Sequence, residues 1–303
     1  MGCQVKCTAH LPIIIKNKKY KEKMMKKGIN IWSFTSGTLL DKFKLAADAG
    51  FDGIEVAIGE TGELGLDATK EDLLKIRKAA NDLGLEIYSV CNDLVWSNSL
   101  TSPDAEERAR AKKFVRRQLE VASLLGADTI LIVPGCVSAS FAPNFGIVDY
   151  DVAYELAYES IKELIPDAEK YGVVIGVENV WNKFLLSPLE MRDFIDKFDS
   201  PWVQSYFDVG NVMLTGYPEQ WIKILGKRIK KVHFKEFRCN VGTLDGFVDL
   251  LAGDVNWDAV MKAFEAVGYD GWVTGEMIPA YAQHSEQIIY NTSNSIDKII
   301  GRK

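Results

Sequence analysis

Three acidic side chains and one histidine stand where apolar runs stop. Glu178 closes "VVIGVE", Asp208 follows "SYF", His233 lies in "KVHFKEF" and Glu276 in "VTGEM". Runs of this kind read as buried strands, and a carboxylate at the end of one is left in a partly dry place. Any one of the four could be satisfied alone by a backbone N–H or a neighbour. Brought to one point, three carboxylates repel each other, and one would have to stay protonated. A divalent cation removes that conflict. Carboxylate oxygens with a single imidazole form a mixed, mostly hard donor set that suits Mn²⁺ first, with Mg²⁺, Co²⁺ or Zn²⁺ as alternatives. One divalent metal ion is therefore the expected cofactor.

The four residues can meet only if consecutive strands carry them to the same end of a sheet. From Ile29 onward short apolar runs alternate with stretches of helical period, which signals βα units and a parallel sheet. The predicted strands are "GINIWSF" (28–34), "GIEVAI" (53–58), "EIYSVCN" (86–92), "TILIVPG" (129–135), "VVIGVENV" (173–180), "VQSYFDV" (203–209), "IKKVHF" (229–234) and "GWVTGEM" (271–277). Helical patterns between them include "DLLKIRKAANDLG", "ARAKKFVRRQLEVASLLG" and "VAYELAYESIKELIPDAEKYG". Gly50, Gly84, Gly126, Gly172 and Gly268 stand where left-handed caps close helices. Eight strand–helix units without a linker-like tract predict an α/β fold, the (β/α)8 TIM barrel. It forms a single domain over 26–303, with a short basic N-terminal tail over 1–25. A doubly wound sheet is the alternative, but "GETGELG" (59–65) lacks the Walker lysine and reads as a plain loop. In a barrel the active site lies at the C-terminal strand ends, so Glu178, Asp208, His233 and Glu276 share one mouth.

Composition narrows the partners. Of 303 residues, 47% are hydrophobic and 26% charged, enough apolar surface for one core and too much for a disordered chain. Net charge is −6, although "KNKKYKEKMMKK" (16–27) carries seven Lys and one Glu, so the remainder holds −12 by subtraction. Such an acidic body repels a phosphate backbone, and no nucleic-acid partner is expected. No stretch reaches the ~18 apolar residues of a membrane span, and "LPIII" is too short for a signal peptide. Lys6 stands where a myristoylation signal takes Ser or Thr. No membrane partner is expected, and the predicted location is cytoplasmic. Cys3, Cys7, Cys91, Cys136 and Cys239 are odd in number and form no CxxC pair, which predicts free thiols. Cys3, Cys7 and His10 lie close together but lack a fourth ligand for zinc. The Lys-rich run has no apolar face, so the tail reads as solvated and non-essential, with Met25 a natural opening for the first strand.

The eight-unit pattern with these strand-end residues resembles the sugar phosphate isomerase/epimerase superfamily. These are the xylose-isomerase-like barrels, which include ketose 3-epimerases and abasic-site endonucleases, and the resemblance covers nearly all of Lys26 to Lys303. "YFDVGN", "VHFKEF" and "GDVNW" are most similar to L-xylulose- and L-ribulose-5-phosphate 3-epimerases. The resemblance implies a divalent-metal-dependent epimerase or isomerase of a small ketose or ketose phosphate. By the same resemblance, Glu178 and Glu276 both bind metal and move the proton. The metal holds neighbouring sugar oxygens and stabilises a cis-enediolate, while one glutamate removes the proton and the other returns it on the opposite face. Two positions depart from the tagatose type: Asn211 replaces a His three residues beyond Asp208, and Phe184 replaces a Glu six residues beyond Glu178. The first departure shifts the expectation toward the phosphopentulose branch.

Expected sugar contacts are Trp32 and Asn92 at the ends of predicted strands one and three, Trp181 and Asn182 after Glu178, and Asn211. Each is equally readable as packing or turn. Lys235 and Arg238, on one loop with Glu236, could meet a phosphate or a sugar oxygen, or be solvated. No glycine-rich loop opens a short helix after strand seven or eight, where barrels often hold phosphate. Asn256 reads as a helix N-cap, and His284 is given no role. An aldose–ketose isomerase, an inosose dehydratase or a keto-sugar lyase would reuse the same site. An abasic-site endonuclease needs many more than the 3 histidines present, and a non-catalytic sugar-binding barrel would dispense with the metal. The expected partner is a small-molecule sugar or sugar phosphate, with homo-oligomer formation left open.

Overall fold

A computed structural model describes residues 25–142 and 146–302. Most of the basic tail, with Cys3, Cys7 and His10, lies outside the described residues. Eight parallel strands close into a barrel: β1 (Lys26–Asn30), β2 (Gly53–Ile58), β3 (Glu86–Asn92), β4 (Thr129–Ile132), β5 (Val174–Glu178), β6 (Val203–Asp208), β7 (Ile229–Phe234) and β8 (Trp272–Gly275). Closure is made by β1, which pairs with β2 on one side and with β8 on the other. The eight predicted strands are all present. Those of β2, β3 and β7 match residue for residue, and the single (β/α)8 domain stands.

The fourth, fifth, sixth and eighth strands end one to three residues earlier than predicted, β4 at Ile132, and three further local expectations change. The first strand starts two residues earlier than predicted and ends at Asn30, whose side chain accepts the Trp32 N–H and turns the chain into a short 3-10 helix, Ile31–Ser33. Lys27, read as part of a solvated run, is buried with its ammonium 2.8 Å from Asp297 and 2.8 Å from the Ser293 hydroxyl. The long helical pattern after β4 splits into Tyr150–Lys162 and Ile165–Tyr171. Pro166 causes the break, because it has no N–H to give and its ring collides with the carbonyl of Lys162. Elsewhere the punctuation holds. Thr38 with Asp41 and Thr69 with Asp72 form capping boxes, Asn256 caps its helix on the Ala259 N–H, and all five predicted glycines have φ between 66° and 86°.

The barrel interior is filled in layers, as closed eight-stranded barrels require. At the N-terminal end Tyr88 stacks on Trp272 at 3.8 Å and shares a hydrogen bond with Thr274. Gly28 makes room for this plug, since a Cβ there would lie 2.1 Å from the Tyr88 hydroxyl. Above it sits a polar layer centred on Glu55, which leaves no exposed surface. The strand-end residues form the top layer, beneath loops that include a short antiparallel ribbon, Glu236–Phe237 with Phe247–Val248.

Candidate active site

Each ligand-type side chain is delivered as its strand runs out of ladder. Glu178 and Asp208 end β5 and β6, His233 is the penultimate residue of β7, and Glu276 directly follows β8. All four are buried, and one ligand atom from each falls within a span of 4.8 Å. Opposed ligands about 2.1 Å from one ion lie about 4.2 Å apart, so the cluster needs little contraction to hold one cation.

His233 is aimed from below. Its Nε2–H lies 2.7 Å from Glu55 Oε1, and Glu55 also accepts from Asn30 Nδ2 at 2.6 Å, Ser89 Oγ at 2.6 Å and the Tyr206 hydroxyl at 2.5 Å. Burial alone would raise the Glu55 carboxyl, but the His233 charge and these hydrogen bonds hold it below the usual range. A saturated, ionised carboxylate therefore fixes the ring and leaves Nδ1 facing upward. That atom is 3.2 Å from Glu276, 3.4 Å from Glu178 and 3.8 Å from Asp208.

Several atoms at the centre lack a proper partner. His233 Nδ1, Asp208 Oδ2 and Glu276 Oε2 are buried and make no well-directed hydrogen bond, crowding instead against one another and the Lys235 ammonium. Buried ligand atoms without well-directed hydrogen bonds are rare enough to require a cause, and an ion among them would supply one. The donor set, the burial and these crowded atoms all fit a divalent metal. Lys235 adds a cation beside the cluster, with Nζ 2.5 Å from Glu276 and 3.4 Å from Asp208. Gly210 permits this approach, because a Cβ there would lie 2.5 Å from Lys235 Cβ. Charge is split unevenly over the two glutamates. Burial, reinforced by the Glu276 charge, pushes Glu178 up to about 7. Burial also works against Glu276, yet Lys235 and His233 hold it at about 2.

A cavity of about 440 Å³ opens above this floor, lined by Glu178 and Glu276 together with Trp32, Asn92, Trp181, Asn211 and Lys235. Five of the seven expected sugar contacts therefore face it. Asn92 spends both ends of its amide, on Gln118 and on the Leu94 N–H. Asn211 steers Asp208 through its backbone N–H at 2.8 Å and braces the Asn179 carbonyl, while its own carbonyl accepts the Trp181 indole N–H at 2.8 Å. Two expectations are corrected. Asn182 is fully buried on the Gly135 carbonyl and the Phe184 N–H, as a turn residue, and Arg238 is exposed and donates to the Ala252 carbonyl away from the cavity. Glu236 is a loop anchor, accepting from the N–H groups of Leu251 and Val255 and from the Trp257 indole. Phe184 packs among Tyr150, Tyr154 and Phe194.

Sequence reasoning missed Glu55, Asn30 and Asn179, whose side chain accepts the Asp208 N–H and donates to the Asp208 carbonyl. It also missed Trp96, Phe141 and Phe247 in the cavity wall. The available signal for Glu55 was an acid inside "GIEVAI", a strand with no exposed face.

Comparisons with known proteins agree with this architecture. The family described as xylose isomerase-like TIM barrel matches residues 43–294. A putative L-ribulose-5-phosphate 3-epimerase, SgbU, of Escherichia coli is 25% identical over 252 residues, covering 78% of this chain and 82% of SgbU. Among solved structures, a D-psicose 3-epimerase determined in the presence of D-fructose aligns with a TM-score of 0.75 at 19% identity, over 91% of this chain and 100% of that one. The 3-keto-D-glucoside 4-epimerase YcjR from E. coli aligns with a TM-score of 0.73 at 18% identity, over 91% and 98%. Among the described residues no helix is long and apolar enough to cross a membrane. With its barrel closed and the family pattern running through most of its length, this chain belongs to the xylose isomerase-like TIM barrel family.

Proposed function

We propose that this protein is a divalent-metal-dependent epimerase or isomerase that moves a proton at the carbon beside the carbonyl of a small keto sugar. One observation carries the reading: two buried glutamates, on β5 and after β8, share a floor with Asp208 and His233, one ligand atom from each falling within 4.8 Å. Relatives named as L-ribulose-5-phosphate and D-psicose 3-epimerases support it. Glu178, Asp208, His233 and Glu276 would hold the ion, with Mn²⁺ as first choice. When bound, it would supply Lewis-acid polarisation of the sugar carbonyl and neutralise charge developing on the sugar oxygens.

The chain's own groups do the rest. Inversion needs one base on each side of the reacting carbon, and Glu178 and Glu276 reach the floor from strands separated by β6 and β7. Glu55 locks the His233 ring, and Asn211 with Asn179 locks Asp208, so the floor is set before substrate arrives. Lys235 stands where it can donate to a sugar oxygen. The wall above the floor is mostly apolar, so water near the reacting groups finds few partners there.

The test is to incubate the metal-loaded protein with a panel of keto sugars in heavy water and follow deuterium at the carbon beside the carbonyl. Exchange and epimer formation should both stop on chelation. Turnover that persists in chelator with no metal present would contradict the reading.

A further inference from the structure

The cavity has a polar floor and an apolar mouth, and the two ask for different ends of one ligand. Of its 17 lining residues, 12 are apolar. Charged and amide side chains are confined to Glu178, Glu276, Lys235, Asn211 and Asn92, and the amide of Asn92 is already engaged at both ends, by Gln118 and the Leu94 N–H. Aromatic rings of the wall are held in braced pairs. Trp96 and Phe141, from the loops after β3 and β4, meet edge to face at 4.7 Å. Trp181 and Phe247, from the loops after β5 and β7, lie 5.3 Å apart, and the Trp181 indole N–H is tied to Asn211. Rings fixed in this way present flat faces at little further entropy cost.

Among the described residues, charge is missing where a phosphate would need it. Lys235 is the one lining cation among the described residues, and it sits on Glu276 and Asp208 at the floor. Arg238 points elsewhere, to the Ala252 carbonyl. After β7 and β8, where barrels often hold phosphate, the wall offers Leu244, Phe247, Ile278 and Pro279. A dianion there would lose its water against apolar surface with no partner in return. Phe141, Leu244 and Ile278 also keep 40%, 40% and 45% of their surface exposed, apolar area that a neutral ligand would cover. The volume falls in the range of about 300–1,000 Å³ typical of drug-sized ligands, larger than a pentulose fills.

We propose that the substrate is a keto sugar bearing an uncharged, flat-faced group at its far end, a glycosidic ring or aromatic aglycone that stacks in the aromatic mouth, and that it is not a sugar phosphate. This rests on the reading of the floor as a metal-dependent epimerase site. It departs from the expectation that Lys235 and Arg238 could meet a phosphate, and keeps the alternative that Lys235 meets a sugar oxygen.

The experiment uses the metal-loaded full chain and four probes: phenyl and methyl 3-keto-β-D-glucopyranoside, D-fructose, and D-fructose 6-phosphate. Affinities are measured by calorimetry. The phenyl glycoside should bind about tenfold or more tighter than the methyl one, and the phosphate should bind no tighter than the free ketose. In Phe141→Ala, at a half-exposed rim position, the phenyl-to-methyl ratio should drop below about threefold. Equal binding of the two glycosides overturns the proposal. So does tighter binding of the phosphate. If the ratio is unity and Phe141→Ser abolishes self-association of the chain, the apolar rim belongs to a second copy, and the proposal also fails. Deuterium uptake beside the carbonyl reads the floor separately. Its absence with every probe sinks the epimerase reading, whereas uptake combined with a phosphate preference sinks only the apolar subsite.

Discussion

The two ends of the barrel treat buried charge in opposite ways. At the N-terminal end the buried cations are paired with anions: Lys27 with Asp297 at 2.8 Å, and Lys231 with Asp128 at 2.8 Å beside the Tyr88–Trp272 stack. At the C-terminal end Glu178, Asp208 and Glu276 crowd one imidazole and one ammonium. Paired charges at strand starts stabilise the fold and do little else. Crowded like charges cost stability, so their presence at the mouth speaks for chemistry done there. Substitutions at the two ends should therefore separate cleanly, those at the mouth altering metal binding and turnover, those at the base altering stability.

The largest effect is expected at the two glutamates. Glu178→Gln and Glu276→Gln should each lower turnover by about 10²–10⁴-fold, the usual worth of a general base, while the amide oxygen keeps metal bound. The metal-free thermal midpoint should not fall in Glu178→Gln, because a repelling carboxylate has been removed. Near-normal turnover in both variants would mean that other groups move the proton.

Next comes Glu55, the link between the two regions. Glu55→Gln keeps the shape but loses the charge that orients His233, and metal affinity should weaken by about 10- to 100-fold in a calorimetric titration. Unchanged affinity would show that the ring is aimed by packing alone.

At the base, Lys27→Ala should cost about 1.5–3 kcal/mol in denaturant unfolding, since it removes a buried, charge-assisted bond to Asp297 and leaves the Ser293 hydroxyl short of a partner. Metal stoichiometry and turnover should be untouched. A loss of activity without loss of stability would blur the division between the ends.

The smallest effect is a pH dependence. Burial would raise the Asp128 carboxyl, but Lys231 and Lys230 hold it at about 2, against 3.8 in its ordinary state. A depressed value means that Asp128 contributes stability above pH 3.8, and the contribution fades as pH falls through about 2. The carboxylate is half exposed, so solvent screens the pair and the effect is small. Acid unfolding of Asp128→Asn should begin at slightly higher pH than in the parent protein, with the two curves converging below pH 2. Identical acid curves would remove the pair from the account.

The same contrast explains what the sequence disclosed. Glu178, Asp208, His233 and Glu276 were legible because each interrupts an apolar run at its end, and such a run has a single reading in a parallel barrel. Glu55 was hidden by its position inside "GIEVAI", where period-two alternation reads as a solvent-facing side that a closed barrel lacks. Lys27 was hidden by its lysine-rich neighbours, since burial depends on Asp297, far away in sequence. Asn182 and Arg238 misled because amides and guanidinium groups after strands serve turns and loop carbonyls as readily as sugars. The aromatic mouth is built from four different loops, and loops carry no periodic signal to place Phe141 opposite anything.

The most direct test is to titrate the metal-free protein with Mn²⁺ by calorimetry, alongside Asp208→Ala. Asp208 offers a ligand atom to the cluster and is not assigned a proton-moving role, so the comparison reads the site and not the chemistry. The account predicts one ion per chain in the parent protein and no saturable binding, or binding weakened at least about 100-fold, in the variant. No stoichiometric binding in the parent, or equal affinity in the two, would contradict it.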